Sequence, residues 1–183
     1  KKLDIVAIGG NSMGWYSALF VAGTFKLDDT FTLVEAMGGM TRDGQIGGQV
    51  IYPLVGEHWR ADPELARTIA TALEDTRKAG QQAGWSIRYG GYAVLWADHE
   101  GLPLLISKLP TVKTKQKQYP LELPGHSAFH SPLMLPVSER ALQELSTLPW
   151  HAPSIPLIDG RGHRWHPINT NPGELRRYSL QTQ

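Results

Sequence analysis

Apolar residues follow two rhythms along this chain, short unbroken runs and stripes spaced three to four apart. Their alternation predicts an α/β fold. The run Leu3-Asp4-Ile5-Val6-Ala7-Ile8 ends at Gly9-Gly10 and reads as a parallel strand buried on both faces. Over residues 12–22 the period lengthens. Trp15, Ala18, Leu19 and Ala22 share one helical stripe, which Gly23 stops. Asp28-Asp29-Thr30 offers an N-cap to a second helix carrying Phe31, Val34, Glu35 and Met37, which Gly38-Gly39 ends or loosens.

Residues 49–54 read as a strand. Asp62 as N-cap and Pro63 at the first helical position open a helix expected to reach about Ala83, with Leu65, Ile69 and Leu73 at helical spacing and Gly84 closing it. Residues 86–89 and 92–97 read as strands about Gly90-Gly91. Residues 102–109 fit either a strand or a short helix opening at Pro103, and the polar, basic 111–119 an exposed loop. A helix is expected over 138–148, a short buried strand over 155–158, and helical character over 172–178 in an otherwise loop-rich end. The pattern predicts an α/β core from residues 1–44 and 122–183, with a small α+β subdomain inserted over 45–121.

Composition narrows the function classes. With 41% hydrophobic and 19% charged residues, the 183-residue chain has an ordinary globular balance and enough length for a core. It has no cysteine, which excludes disulfides, thiolate zinc sites and a Cys nucleophile. That suits a reducing compartment, and a cytoplasmic location is expected. The formal net charge is +1, and Lys113, Lys115 and Lys117 form the densest basic cluster, so no nucleic-acid partner is expected. No apolar stretch approaches the ~20 residues of a membrane span, and no signal-peptide pattern opens the chain. A central strand at the very start of the sequence leads us to expect part of a longer protein.

Gly10-Asn11-Ser12-Met13-Gly14 matches G-x-S-x-G between a predicted strand and a predicted helix. In that context a sharp turn projects the Ser12 hydroxyl, flanking glycines allow close backbone approach, and the helix N-terminus faces a forming oxyanion. The Met13 N–H is one candidate oxyanion donor. The alternatives are a chance glycine-rich strand-to-helix turn and a phosphate-binding turn. A Ser nucleophile needs a base, and His130 lies in Gly125-His126-Ser127-Ala128-Phe129-His130-Ser131-Pro132-Leu133-Met134.

Gly-Asn-Ser-Met-Gly-Trp-Tyr-Ser-Ala-Leu resembles the elbow of malonyl-CoA:acyl-carrier-protein transacylases and polyketide-synthase acyltransferase domains, and Ser-Ala-Phe-His-Ser-Pro-Leu-Met resembles their histidine motif. Leu33-Val34-Glu35 and Ile155-Pro156-Leu157-Ile158 also fit, so the resemblance covers nearly all of the chain. It implies an α/β-hydrolase-like core with a parallel sheet and an inserted ferredoxin-like subdomain. It also implies a ping-pong reaction: Ser12 attacks an acyl thioester, His130 takes its proton, coenzyme A leaves, and the phosphopantetheine thiol of an acyl-carrier protein collects the acyl group. No permanently bound cofactor is implied. Acyl-coenzyme A and the carrier protein are the implied partners, and Asn11, Met37 and Phe129 the implied substrate-binding residues.

This sequence departs from the family pattern at several points. Asn11 stands where the family commonly has His. Met37 stands at the place of the family's malonate-binding Arg, and a thioether cannot pair a carboxylate. An apolar or larger acyl group is therefore open beside malonyl. So is a thioester hydrolase on the same scaffold, or a docking module without turnover. The subdomain's second helix is hard to find among Pro103, Pro110 and the lysines. The family's first oxyanion loop precedes the elbow strand and is absent, and Gln181 or Gln183 marks the neighbourhood of the carbonyl that orients the histidine; both points suggest a chain incomplete at both ends. His163 and His166 form an i, i+3 pair without carboxylate spacing, so no metal is expected. The acid and base residues of Trp96-Ala97-Asp98-His99-Glu100 read as a solvated turn, and Trp15 and Tyr16 as packing residues.

Overall fold

Buried apolar side chains gather into two separate cores, and each belongs to one unit of the chain. The computed structural model describes residues 3–42, 45–114 and 117–183. One unit comprises Lys1–Asp43 with Leu135–Gln183, the other Gly44–Met134. In chain order the elements are β1 (Ile8–Gly9), α1 (Met13–Val21), α2 (Leu27–Arg42), β2 (Gly48–Pro53), α3 (Pro63–Lys78), β3 (Ala83–Tyr89), β4 (Tyr92–Ala97), α4 (Gly101–Lys108), β5 (Val112–Lys113), β6 (Gln118–Tyr119), β7 (Leu121–Glu122), α5 (Leu135–Glu144), β8 (Leu157–Ile158), β9 (Arg164–Trp165) and α6 (Pro172–Arg177). A single π-helical turn, Tyr178–Thr182, follows α6.

In the first unit β1 lies parallel to β8, pairing Ile8 with Leu157 and Gly9 with Ile158, and β9 lies antiparallel on β8. Trp15, Leu19, Leu33, Leu157 and Leu175 are fully buried at its centre. The strand expected over residues 3–8 is reduced here to Ile8–Gly9, and Leu3 and Val6 are 86% and 81% exposed. The reason lies in the partner strand. Pro153 and Pro156 precede Leu157, and neither has an N–H to extend the ladder. The second helix runs unbroken through Gly38 and Gly39 to Arg42, because packing of Leu33, Val34, Met37 and Met40 on the core outweighs a cost of about 1 kcal/mol per glycine. Its acidic pair, Asp28 and Asp29, lies in the first turn, where it favours the helix dipole rather than supplying the cap.

In the second unit the chain runs β2-α3-β3-β4-α4-β7, and the strands stand side by side as β3-β4-β2-β7 with every neighbour antiparallel. That connectivity and order are those of a ferredoxin-like arrangement. Val50, Tyr52, Ile69, Leu95 and Leu105 form its core. Asp62 caps α3 by accepting the Glu64 N–H at 2.9 Å, with Pro63 at the first position. The helix stops at Lys78 and not near Ala83, because Gly80 turns into the left-handed region (φ 88°) and starts the chain toward β3. The ambiguous 102–109 segment is helix α4, the second helix that was hard to find; the Asp98 carboxylate accepts the Gly101 N–H at 2.7 Å and fixes its start. The expected loop over 111–119 contains the short hairpin β5–β6, with Tyr119 buried; residues 115 and 116 lie outside the described residues.

Residues 122–134, read from sequence as part of the core, make their backbone bonds with the second unit. The β7 strand pairs with β2, the Leu123 N–H donates to the Gln49 carbonyl, and the Ala128 N–H to the Ile46 carbonyl. Near the C-terminus, the His163–His166 segment is no loose loop. It carries β9, with Trp165 buried.

Candidate active site

At the elbow the chain leaves β1 and reverses into α1 within three residues. Ser12 takes the strain, with φ 52° and ψ −127°, a backbone conformation that non-glycine residues rarely adopt. The turn closes on itself: the Gly14 N–H donates to the Asn11 carbonyl and the Trp15 N–H to the Ser12 carbonyl, both at 2.9 Å. A Cβ on Gly10 would stand 2.3 Å from the Gly14 carbonyl oxygen, so only glycine allows this approach. Gly14 differs from expectation, since a Cβ there would meet open space. The Met13 N–H opens α1, where no preceding turn supplies an intrahelical acceptor, and Met13 is exposed.

Two side chains behind the elbow tie α1 to the C-terminal turn. The Trp15 indole Nε1 donates to Ser179 Oγ at 2.8 Å, and Ser179 in turn donates to the Leu175 carbonyl. Gln183 Nε2 donates to Tyr16 Oη at 2.9 Å. Burial pushes the Tyr16 phenol up to about 12, against the smaller opposing effect of Gln183, so it stays neutral at ordinary pH. Trp15 and Tyr16 are thus packing residues, as their sequence context suggests.

Beside Asn11 runs the loop after β8. A Cβ on Gly160 would lie 3.1 Å from Asn11 Oδ1, and the Gly160 N–H donates to the Tyr178 hydroxyl. Buried Asp159 organises this loop. It accepts from the Arg161 and His163 backbone N–H groups, from the Arg161 guanidinium at 2.7 Å, and from Trp165 Nε1 at 3.1 Å. Burial pushes its carboxyl up, but these bonds and the Arg161 charge outweigh burial and hold it below the usual carboxylate range. The Arg161 guanidinium also stacks over the Tyr178 ring at 4.2 Å. Sequence reading missed Asp159. Its only signal is an Asp-Gly turn directly after a buried strand.

Of the remaining sequence-derived candidates, Met37 is half-buried and packs against the first unit's core. Phe129 and His130 belong to the second unit, whereas Asn11, Ser12, Met13 and Met37 belong to the first. His130 also sits in the left-handed region, at φ 55°. Three groups hold the loop before it. Gln49, 3% exposed on β2, donates through Nε2 to the Phe129 carbonyl at 3.1 Å and to Ser86 Oγ at 2.7 Å, and its Oε1 meets His126 Nδ1 at 3.0 Å. Ser86 Oγ donates to the same Phe129 carbonyl at 2.8 Å. The Ser127 hydroxyl accepts the Ile46 N–H. Neither Gln49 nor Ser86 stands out in the sequence. Among the described residues, no group of three or more His, Asp or Glu is arranged to hold a metal, and no helix is long and apolar enough to cross a membrane.

No protein-family model matches the chain, and no curated protein matches it significantly. Solved structures do. Its structural neighbours are malonyl-CoA:acyl-carrier-protein transacylases and polyketide-synthase acyltransferase domains. The FabD protein of Acinetobacter baumannii superposes with a TM-score of 0.75 at 20% identity, over 97% of this chain and 53% of that one. The acyl-carrier-protein S-malonyltransferase of Bartonella henselae gives 0.71 at 25% identity, over 97% and 53%. The acyltransferase domain of an iterative polyketide synthase in enediyne biosynthesis gives 0.70 at 23%, over 98% and 44%. The chain therefore has the mixed α/β fold of these acyltransferases and spans about half the length of the transferases it matches.

Proposed function

We propose that this chain carries the Ser–His centre of an acyltransferase that loads an acyl-carrier protein. The observation that carries the proposal is the strained Ser12, held over the first turn of α1 by a glycine-dependent elbow in a fold shared with acyl-carrier-protein malonyltransferases. In this reading Ser12 Oγ attacks the thioester carbonyl of an acyl-coenzyme A while the His130 imidazole accepts its proton. The oxyanion gains a hydrogen bond from the Met13 N–H and the positive end of α1. The C–S bond breaks, the thiolate takes the proton from His130, and the acyl-enzyme remains. A phosphopantetheine thiol on the carrier protein then attacks the ester by the reverse path. No permanently bound cofactor takes part.

The reading assigns residues 1–44 and 122–183 to an α/β-hydrolase-like core, with 122–134 bonded to the second unit, and residues 45–121 to its inserted subdomain. Asn11, Met37 and Phe129 are its substrate-binding residues. The donor in this reading carries malonyl or another short acyl group; Met37 packs on an apolar core and brings no cation to a malonyl carboxylate, which keeps a non-malonyl acyl group as the alternative. Incubation with malonyl-, acetyl- and longer acyl-coenzyme A, followed by intact-mass measurement, tests both parts. The expected result is a single acyl adduct that disappears in Ser12→Ala, and the donor that forms it fastest names the acyl group. Thiol release without an adduct points to a hydrolase, and a Met37→Arg variant that gains nothing for malonyl over acetyl donors overturns the place given to Met37.

A further inference from the structure

The peptide joining Phe129 to His130 is held more firmly than a surface loop requires. Its carbonyl oxygen accepts two hydrogen bonds, from Gln49 Nε2 and from Ser86 Oγ. Both donors come from strands of the second unit's sheet, β2 and β3. Ser86 lies at the irregularity of β3: Trp85 pairs with Leu95 and Ile87 with Val94, so Ser86 has no partner residue on β4. Such a bulge re-aims a side chain, and here the hydroxyl it redirects reaches the Phe129 carbonyl.

The donor and acceptor roles in this cluster are forced. A carbonyl can only accept, so Gln49 must turn its NH₂ toward Phe129 and its Oε1 toward His126. Ser86 gives its one proton to the Phe129 carbonyl and so accepts the second Gln49 N–H. His126 Nδ1 must then be a donor. Every polar group of the buried Gln49 amide is engaged, and the orientation that does this is the one that clamps the carbonyl.

A peptide group is planar, so holding its oxygen holds the orientation of the whole plane and restricts the two rotations that flank it, ψ of Phe129 and φ of His130. The φ held at His130 is 55°, where Cβ crowds the carbonyl and an unsupported histidine would not stay. We propose that Gln49 and Ser86 are positioning residues for His130: by clamping the Phe129 carbonyl they hold its backbone in the left-handed conformation in which the acyl-transfer reading has it act as the base. The proposal rests on the acyl-transfer reading given above.

The test uses the full chain carrying Ser86→Ala, Gln49→Leu or Ser86→Thr, each alone and in a His130→Ala background. Acyl-enzyme formation is followed by intact mass. Ser86→Ala and Gln49→Leu are expected to slow acylation about 10- to 100-fold with half-saturating acyl-coenzyme A unchanged. Ser86→Thr, which keeps the hydroxyl, restores most of the rate. In the His130→Ala background Ser86→Ala adds no further loss. An equal loss in both backgrounds, or no loss in either, overturns the proposal. Ser86→Ala is the milder change and decides the matter even where Gln49→Leu does not fold. If the wild type forms no acyl-enzyme with any donor, the acyl-transfer reading fails instead. The clamp is then decided by the His130 ¹³Cα resonance, which shifts in Ser86→Ala if the clamp exists and stays put if it does not.

Discussion

Ser12 and His130 pose the same backbone problem and solve it in different ways. Both are non-glycine residues at positive φ, 52° and 55°. Ser12 is supported from within its own turn, by bonds from Gly14 to Asn11 and from Trp15 to Ser12 and by the missing side chain of Gly10. His130 is supported from far along the chain, by Gln49 and Ser86, which reach its preceding carbonyl across 80 and 43 residues. Strain of this kind persists only where the surroundings over-determine it. One unit supplies that locally, the other through its sheet.

The sharpest way to break this contrast is Gly10→Ala. The new Cβ would meet backbone atoms, 2.3 Å from the Gly14 oxygen and 2.8 Å from the Trp15 nitrogen, and backbone cannot swing aside. We expect a loss of about 3 kcal/mol or more in urea unfolding, together with loss of acyl-enzyme formation. A variant that unfolds at the wild-type urea concentration would show that the elbow is not held by its own turn.

Asp159→Asn tests a second locally built feature. The buried carboxylate gathers donors from Arg161, His163 and Trp165, and exchanging it for an amide is expected to cost about 2 kcal/mol at neutral pH. The folded-state pKa is lowered, so this stability is present above the unfolded value of about 3.9 and is lost as pH falls through the folded value. Urea midpoints at pH 7 and pH 3 should therefore differ less in the variant than in the wild type. Equal differences would mean that Asp159 is not ionised in its pocket.

Ser179→Ala asks whether the elbow needs its distant support. Trp15 Nε1 is fully buried and would lose its acceptor, 164 residues away, at a cost of about 1–2 kcal/mol. If the turn holds Ser12 by itself, the acylation rate at a temperature well below unfolding stays at the wild-type value. A rate that falls with the stability would move Ser12 into the same class as His130.

The same division explains what the sequence makes legible. The elbow can be read directly, because its glycine, its serine and its strand-to-helix setting lie within a few residues. The start of α3 is equally plain, since Asp62 and Pro63 act on their immediate neighbours. The histidine stands out only through its resemblance to a family motif. Gln49, in a run that otherwise reads as a half-apolar strand, and Ser86, at a bulge, carry no local mark, because their roles arise from pairing with residues far away in the chain. Where the expectations from sequence miss, the competing force is also non-local. Core packing carries α2 through two glycines, and prolines before β8 leave residues 3–7 without a ladder. The apolar pattern there records a demand for burial but not what would meet it.

Gly14→Ala is the smallest change and the most pointed. The G-x-S-x-G pattern treats its two glycines alike, yet a Cβ at position 14 would touch nothing within 4 Å, and Gly14 lies in the first turn of α1 without a positive φ. Replacing it removes conformational freedom from the unfolded chain and adds helix propensity, so stability should rise by about 0.5 kcal/mol, at most about 1. Acyl-enzyme formation should be unimpaired, since the Gly14 N–H that closes the turn on Asn11 is kept. A stabilised, active Gly14→Ala beside an unfolded or inactive Gly10→Ala would show that the elbow's strain is borne on the strand side of Ser12. A loss of acylation with stability intact would instead mean that the open space over Gly14 is where the thioester lies.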